Sequence, residues 1–271
     1  MQAYSAPPGD AWQLGAGPFI FRGKPPFLSG QLELINHSDE KLKVRAIRTG
    51  PAGPVSGTAK SKSASTVELG EIRLAARLLP GERVRVAAHL VVDPSTPPGS
   101  YAADLDLDRQ RERMIVHVFE KHSVVLVPKT LELRGAPGDV LRHLLVVTNR
   151  GNVKHTFPEV ALVHLEERDW FGRSLVYALR ETAEDDGYQR YLDRVVREMR
   201  RTDMPPARVR IHSDVSELAP GATAEVELEL TLPDRLIKGR SYTRTIPFMS
   251  TSLTFRVVCN GAAKSKKRRP L

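Results

Sequence analysis

The chain has 271 residues, a net charge of +9 from 41 Lys and Arg against 32 Asp and Glu, and one cysteine. That length suits about two domains, each able to bury its own core. The lone Cys259 excludes an intrachain disulfide framework and a cysteine-cluster zinc site. No run approaches the roughly 18 apolar residues of a membrane-spanning helix.

Residues 1–19 read as an N-terminal extension: Tyr4-Ser5-Ala6-Pro7-Pro8-Gly9, then Trp12, then Gly15-Ala16-Gly17. Neither the basic start nor the apolar stretch of a secretory signal is there, so the expected location is cytoplasmic. If Met1 is not the native start, an envelope-associated protein is the alternative.

Residues 20–122 form the first expected module. Gln31–Ile35 is a strand that ends at Asn36-His37-Ser38, the residue types a turn needs. Thr49 to Ser65 is rich in Gly, Pro and Ser and basic, and reads as a loop. It lacks the order of a phosphate-binding loop. Leu79-Pro80-Gly81 suits a type II turn, with Pro at its second position and Gly at its third. It feeds Arg83–Leu90, where Val84, Val86, Ala88 and Leu90 alternate with Arg83, Arg85, Ala87 and His89, the period of a half-buried strand. Pro98-Gly99-Ser100-Tyr101 is a second turn landmark, Asp104, Asp106 and Asp108 alternate as a solvent face, and Met114–Phe119 closes the module. The boundary is placed between Glu120 and Ser123, with a linker short enough to predict a fixed tandem.

Residues 123–260 repeat these landmarks. Asn149 follows Asn36 by 113 positions, Ala219-Pro220-Gly221 matches Leu79-Pro80-Gly81, and Gly239-Arg240-Ser241-Tyr242 matches the turn at Tyr101. Pro80 to Tyr101 is 21 residues and Pro220 to Tyr242 is 22. Val226, Leu228, Leu230 and Leu232 alternate with Glu225, Glu227, Glu229 and Thr231, and Ser252–Val258 closes the copy. The predicted fold class is all-β, two tandem immunoglobulin-like β-sandwiches, although the Cys…Trp…Cys pattern of antibody domains is missing.

The second copy has 27 additional residues between its Asn and Pro-Gly landmarks, and they carry a helical period. Phe171 to Ala183 makes a first helix and Glu184–Gly187 a turn. Tyr188, Tyr191, Leu192, Val195, Val196 and Met199 then line one stripe of a second helix. A helical hairpin inserted over 170–203 is therefore expected. Its apolar stripe either packs on the host sandwich or docks on another chain. In the docking case the contact residues are Trp170, Phe171, Tyr188, Tyr191, Val195 and Met199, because aromatic anchors dominate interfaces. Residues 261–271 are a basic tail whose Lys264, Lys266, Lys267, Arg268 and Arg269 are suited to an anionic surface, nucleic acid or membrane.

Signals for chemistry are thin. None of the eight histidines forms H-x-H or H-E-x-x-H, no G-x-S-x-G is present, and Cys259 reads as a buried structural thiol. Neither catalytic residue, cofactor nor metal is expected, and the chain reads as a non-enzyme.

Asn36, Leu78-Leu79-Pro80-Gly81, Val86 and Pro97-Pro98-Gly99-Ser100-Tyr101, with their second-copy counterparts, resemble bacterial and archaeal immunoglobulin-like modules of the NEW3 type and of the WxL-interacting family. That resemblance implies a cell-envelope setting and specifies fold more than activity. The two-module layout is also similar to periplasmic pilus chaperones, although the basic pair of their strand-donation site has no assigned position here. Three readings follow. The first is a rigid scaffold subunit of a larger protein assembly. The second is a chaperone or adaptor that offers a sheet edge near Arg83–Leu90 or Glu225–Leu232 to an extended partner segment. The third is an anionic-surface binder acting through the tail.

Overall fold

The computed structural model describes residues 11–55, 67–107, 110–157, 160–201 and 206–261. Alternation in the sequence becomes alternation of burial. Across Arg83–Val92 the side chains of Arg83, Arg85, Ala87 and His89 are exposed, while Ala88, Leu90 and Val92 are buried. Contacts divide the chain into two compact units. The first is Met1–Ser123 with Asn149–Lys154 and Ala219–Gly221; the second is Val124–Thr148, His155–Leu218 and Ala222–Leu271.

The first unit contains β1 (Trp12–Leu14), β2 (Phe19–Gly23), β3 (Phe27–Asn36), β4 (Leu42–Ile47), β5 (Ala52–Pro54), β6 (Leu69–Leu78), β7 (Arg83–Val92), β8 (Gly99–Leu107) and β9 (Gln110–Val118). They join in the order β4-β6-β7-β3-β2-β9-β8-β5, with β1 on β3. All pairs are antiparallel except β2 with β9, where Phe19–Gly23 runs parallel to Met114–Val118. Its core includes Phe21, Leu28, Leu32, Leu34, Ile72 and Val116, all fully buried. Each such side chain removed from water contributes roughly 1.5–3 kcal/mol.

The second unit contains β10 (Val124–Val127), β11 (Thr130–Gly135), β12 (Val140–Asn149), β13 (His155–Thr156), β14 (Val160–Val163), β15 (Glu166–Glu167), α1 (Trp170–Glu181), α2 (Gly187–Arg201), β16 (Ala207–His212), β17 (Glu217–Leu218), β18 (Thr223–Thr231), β19 (Ser241–Phe248) and β20 (Thr251–Cys259). One sheet runs β10-β12-β18-β16-β14, a second runs β11-β20-β19-β15, and β13 pairs with β17. Here too the early strand β11 runs parallel to the last strand β20. Leu145, Val226, Leu228, Leu230, Phe255 and Cys259 are among its buried core. No helix among the described residues is long and apolar enough to cross a membrane.

Apart from the small β13–β17 pair, which has no named counterpart in the first unit, the pairing pattern within each unit is the same, with one difference. In the second unit the strands form separate sheets of five and four. In the first, the equivalent sets are joined through β2 and β3 into one curled nine-stranded sheet, at Phe21↔Gly30 and Arg22↔Ser29. A Cβ on Gly30 would lie 2.7 Å from the Ile20 carbonyl oxygen and 2.8 Å from the Phe21 ring. The missing side chain is what lets the two strands approach. His143 stands 113 positions later, at the corresponding distance from Asn149, and there the sheets stay apart.

The landmark residues have matching local roles. Asn36 is buried; its Nδ2 donates to the carbonyls of Glu40 (2.8 Å) and Leu79 (2.9 Å), and its Oδ1 accepts the Ser38 N–H (2.9 Å) and hydroxyl (2.8 Å). Buried Asn149 donates from Nδ2 to the Val153 carbonyl (2.8 Å) and accepts the Gly151 N–H at 2.9 Å. Gly81 (φ +69°) and Gly221 (φ +75°) take the left-handed conformation that the Pro-Gly turns require. The Tyr101 hydroxyl donates to the Pro97 carbonyl at 2.8 Å, and the Tyr242 hydroxyl accepts the Ile237 N–H at 2.9 Å. Such a tyrosine bonded to backbone a few residues upstream is a recurring immunoglobulin-type corner. The described fold is mostly β, with the two helices set between β15 and β16.

Candidate functional site

The two helices lie between β15 and β16. Trp170 opens α1, and its second half ends on good helix formers, Ala178 to Glu181. The helix ends at Thr182, whose hydroxyl donates to the Ala178 carbonyl at 2.6 Å. A short turn, Glu184–Asp186, reverses the chain. Gly187 starts α2 at φ +69°, a conformation costly for any residue with a Cβ.

Two ionic clusters hold this hairpin. Glu167, with a side chain only 4% exposed, bonds to Arg173 on α1 and through Oε2 to Arg240 Nη1 at 2.8 Å. The first turns of α1 are thereby tied to β15 and to the approach of β19. Burial, then the nearby Arg240 charge, lower the Arg173 pKa from its ordinary value. At the far end the Asp186 carboxylate accepts from Arg190 Nη1 (2.6 Å) and the Ala183 N–H (3.1 Å), and Arg194 Nη1 forms an ion pair with it at 2.6 Å. The hydrogen bond from Arg190, then the Ala183 N–H and the Arg194 guanidinium, lower its pKa to about 2. Such a carboxylate also complements the positive N-terminal end of α2.

Helix packs on helix. Ala178 and Ser174 of α1 and Val195 of α2 are buried, but none of the three belongs to the core of the β strands. Outside that contact several large apolar side chains of the hairpin are open, among charged ones: Phe171 is 53% exposed, Leu179 66% and Tyr188 74%. Val176, Tyr177 and Val196 are exposed as well. A shallow groove of about 520 Å³ on α2 is lined by Asp193, Val196, Arg197 and Arg200.

The six contact residues read from the sequence are therefore distributed over different environments. Phe171 and Tyr188 are exposed; Trp170, Tyr191 and Met199 are half-buried. Val195 is a correction, because it is buried in the hairpin and presents no surface to a partner. Trp170 stacks edge-on against Phe171 with ring centroids 5.9 Å apart, and Tyr188 lies 6.2 Å from Tyr191. Leu179, Val176 and Tyr177 were missed, since one helix's period does not say which flank its partner covers. Asp186, in the turn between the helices, is half-buried between two arginines.

Both strands named as sheet edges are interior. β7 lies between β6 and β3, and β18 lies between β12 and β16. Their main-chain groups are already paired, so neither is open to an added strand. Of the remaining polar residues, His89 and His164 are exposed, and His117 Nδ1 lies 2.9 Å from the Ser100 hydroxyl. Cys259 is fully buried and Asp104 is exposed. Among the described residues no three His, Cys, Asp or Glu side chains converge to hold a metal ion. Lys264, Lys266, Lys267, Arg268 and Arg269 lie outside the described residues, as does Asp108.

No protein family and no curated protein matches the chain, so the narrower NEW3 and WxL-interacting resemblance has no family match behind it. Among solved structures it is similar to a protein of unknown function from Porphyromonas gingivalis W83, with 10% identity over 92% of this chain and 99% of that one, at a TM-score of 0.26. It is similar to the titin domains z1z2 solved with telethonin (9% identity, 93% and 98% covered, TM-score 0.27). It is also similar to an ASH/PapD-like domain of human CEP192 (15% identity, 45% and 94% covered, TM-score 0.28). At such scores the likenesses carry no argument about activity or partners.

Proposed function

We propose that this chain is a non-catalytic interaction protein, a scaffold subunit of a larger protein assembly. In this reading it is a tandem of two immunoglobulin-like sandwiches descended from one module. The second copy carries an inserted helical hairpin that docks on another protein. The observation that carries the reading is the hairpin's exposed apolar surface, Phe171, Leu179 and Tyr188 above all. Large exposed apolar groups gathered on one element commonly mark a protein contact. The element is also held rigidly by the Glu167 and Asp186 clusters, which lowers the ordering cost of binding.

The test is a Leu179→Glu/Tyr188→Glu double variant, expressed at native abundance beside the parent chain. Both side chains are exposed, so folding and urea resistance are expected to match the parent. The parent is expected to elute with a stoichiometric protein partner that the variant loses. A folded variant that keeps the same partner at the same stoichiometry removes the hairpin from the interface.

A further inference from the structure

Strand register gathers the basic residues of the first unit on one sheet face. Arg83 and Arg85 of β7 point outward, opposite Ile35 and Glu33 of β3. On the other side of β7, Arg73 pairs with His89, and Arg77 of β6 lies directly opposite Lys43 of β4. Arg45 is exposed at the bulge between Val44 and Ala46. Two acids answer these cations: Glu33 pairs with Arg83 at 2.7 Å and Glu71 with Arg73 at 2.7 Å. Lys43, Arg45, Arg77 and Arg85 make no salt bridge among the described residues.

The same face in the second unit is built differently. There β18 turns Glu225, Glu227 and Glu229 outward, and Arg142 of β12 reaches Glu227 (3.3 Å) and Glu229 (3.2 Å). Arg210 of β16 approaches Glu229 from the other side at 4.0 Å. That ladder of alternating sign neutralises itself. In the first unit, by contrast, Lys43 and Arg77 are like charges set directly opposite each other, an arrangement that disfavours the sheet. A protein that carries this repulsion uncompensated is equipped for an external anion.

From this contrast we infer that the outer face of β4, β6 and β7 binds the phosphate backbone of a nucleic-acid duplex. Most of its cations are arginines, whose planar forks suit phosphate oxygens. Alternate outward residues along a strand repeat at roughly 7 Å and neighbouring strands at about 5 Å, a regular grid of positive charge. Between the cations stand Gln31, Ala75 and Ala87, with no aromatic platform for unpaired bases among the described residues, and the exposed Leu79 stands at the edge of the face beyond Arg77. Phe27, opposite Val91, is the exposed aromatic at the far end of the face. The contact reads backbone and not sequence.

The probe is a short, fluorescently labelled DNA duplex of mixed sequence, titrated with the full chain across a range of salt. With six cations against two acids on this face, an excess of four charges can neutralise phosphates, so the log–log salt slope is expected at about −4, or roughly a hundredfold loss between about 50 and 200 mM salt. Arg77→Gln/Arg85→Gln is expected to weaken binding at least tenfold at low salt and to reduce the slope by about 2. Arg208→Gln/Arg210→Gln in the second unit, and deletion of Lys264 to Leu271, are expected to leave most of the affinity. Urea unfolding confirms that each variant is folded. The inference is overturned if the duplex is not bound, or if the β6–β7 variant binds as tightly as the parent. It is also overturned if only the tail deletion abolishes binding, or if phosphatidylserine vesicles or polyglutamate are bound in preference to the duplex.

Discussion

Replacing Asn36 tests whether the turn landmark is structural in the way its geometry implies. The side chain uses its full capacity: two Nδ2 donations, to Glu40 and Leu79, and two bonds accepted by Oδ1 from Ser38. Asn36→Ala deletes all four. At about 0.5–1.5 kcal/mol each the ceiling is roughly 6 kcal/mol, but Ser38 and Glu40 lie toward solvent and water replaces part of their loss. About 2–3 kcal/mol is expected, read from urea unfolding with an unchanged slope. Exposed His37→Ala next to it is expected to stay within about 0.5 kcal/mol of the parent. Asn36→Asp keeps the accepted bonds but faces the Glu40 and Leu79 carbonyls with oxygen, so it is expected to cost at least as much at neutral pH. That carboxyl has a raised folded pKa. Its protonated form therefore stabilises the fold below the unfolded value of about 3.9, and the benefit is lost as pH rises through the folded value. The deficit of Asn36→Asp relative to the parent is thus expected to shrink in acid. An Asn36→Ala variant within about 0.5 kcal/mol of the parent would refute the accounting.

Other consequences concern the hairpin and the sheet junction. Asp186 has a lowered pKa, so its stabilisation is full above the unfolded value of about 3.9 and is lost as pH falls through about 2. Helical circular dichroism of the parent is expected to fall across that window, whereas Asp186→Asn begins lower and loses less there; coincident curves would contradict the assignment. Glu167→Gln leaves Arg173 and Arg240 without their counter-charge. Because both arginines remain about a quarter exposed, roughly 2 kcal/mol is expected in place of the larger cost of a fully buried pair. The readout is faster proteolysis within Trp170–Arg201. Gly30→Ala places a Cβ 2.7 Å from the Ile20 carbonyl oxygen, so β2 must withdraw from β3. Amide exchange over Phe19–Gly23 and Phe27–Gly30 is expected to quicken, and unchanged protection there would sink the explanation of the joined sheet.

Much of the fold is legible without coordinates because it rests on local chemistry. Alternation in Arg83–Leu90 and Glu225–Leu232, positive-φ glycines after Pro80 and Pro220, and buried Asn36 and Asn149 each depend on a few neighbouring residues. The hairpin was less legible. A stripe at helical spacing contains both Val195, which α1 covers, and Tyr188, which nothing described covers. Spacing places them on one flank, but the angle at which a second helix meets that flank sets their exposure.

By itself, then, the sequence determined strand period, turn chemistry and the recurrence of landmarks at Asn, Pro-Gly and Tyr, since each arises from short-range sterics and hydrogen bonding. Tertiary structure decided everything that depends on partners far apart along the chain. It made β7 and β18 interior strands, joined two sheets through the gap left by Gly30, and exposed Leu179 while burying Val195. It also turned a modest net charge into one basic face, because register sets Arg77 opposite Lys43, 34 residues earlier in the chain, while in the second unit it sets Glu229 opposite Arg142. Composition counts charges, whereas pairing decides whether they cancel.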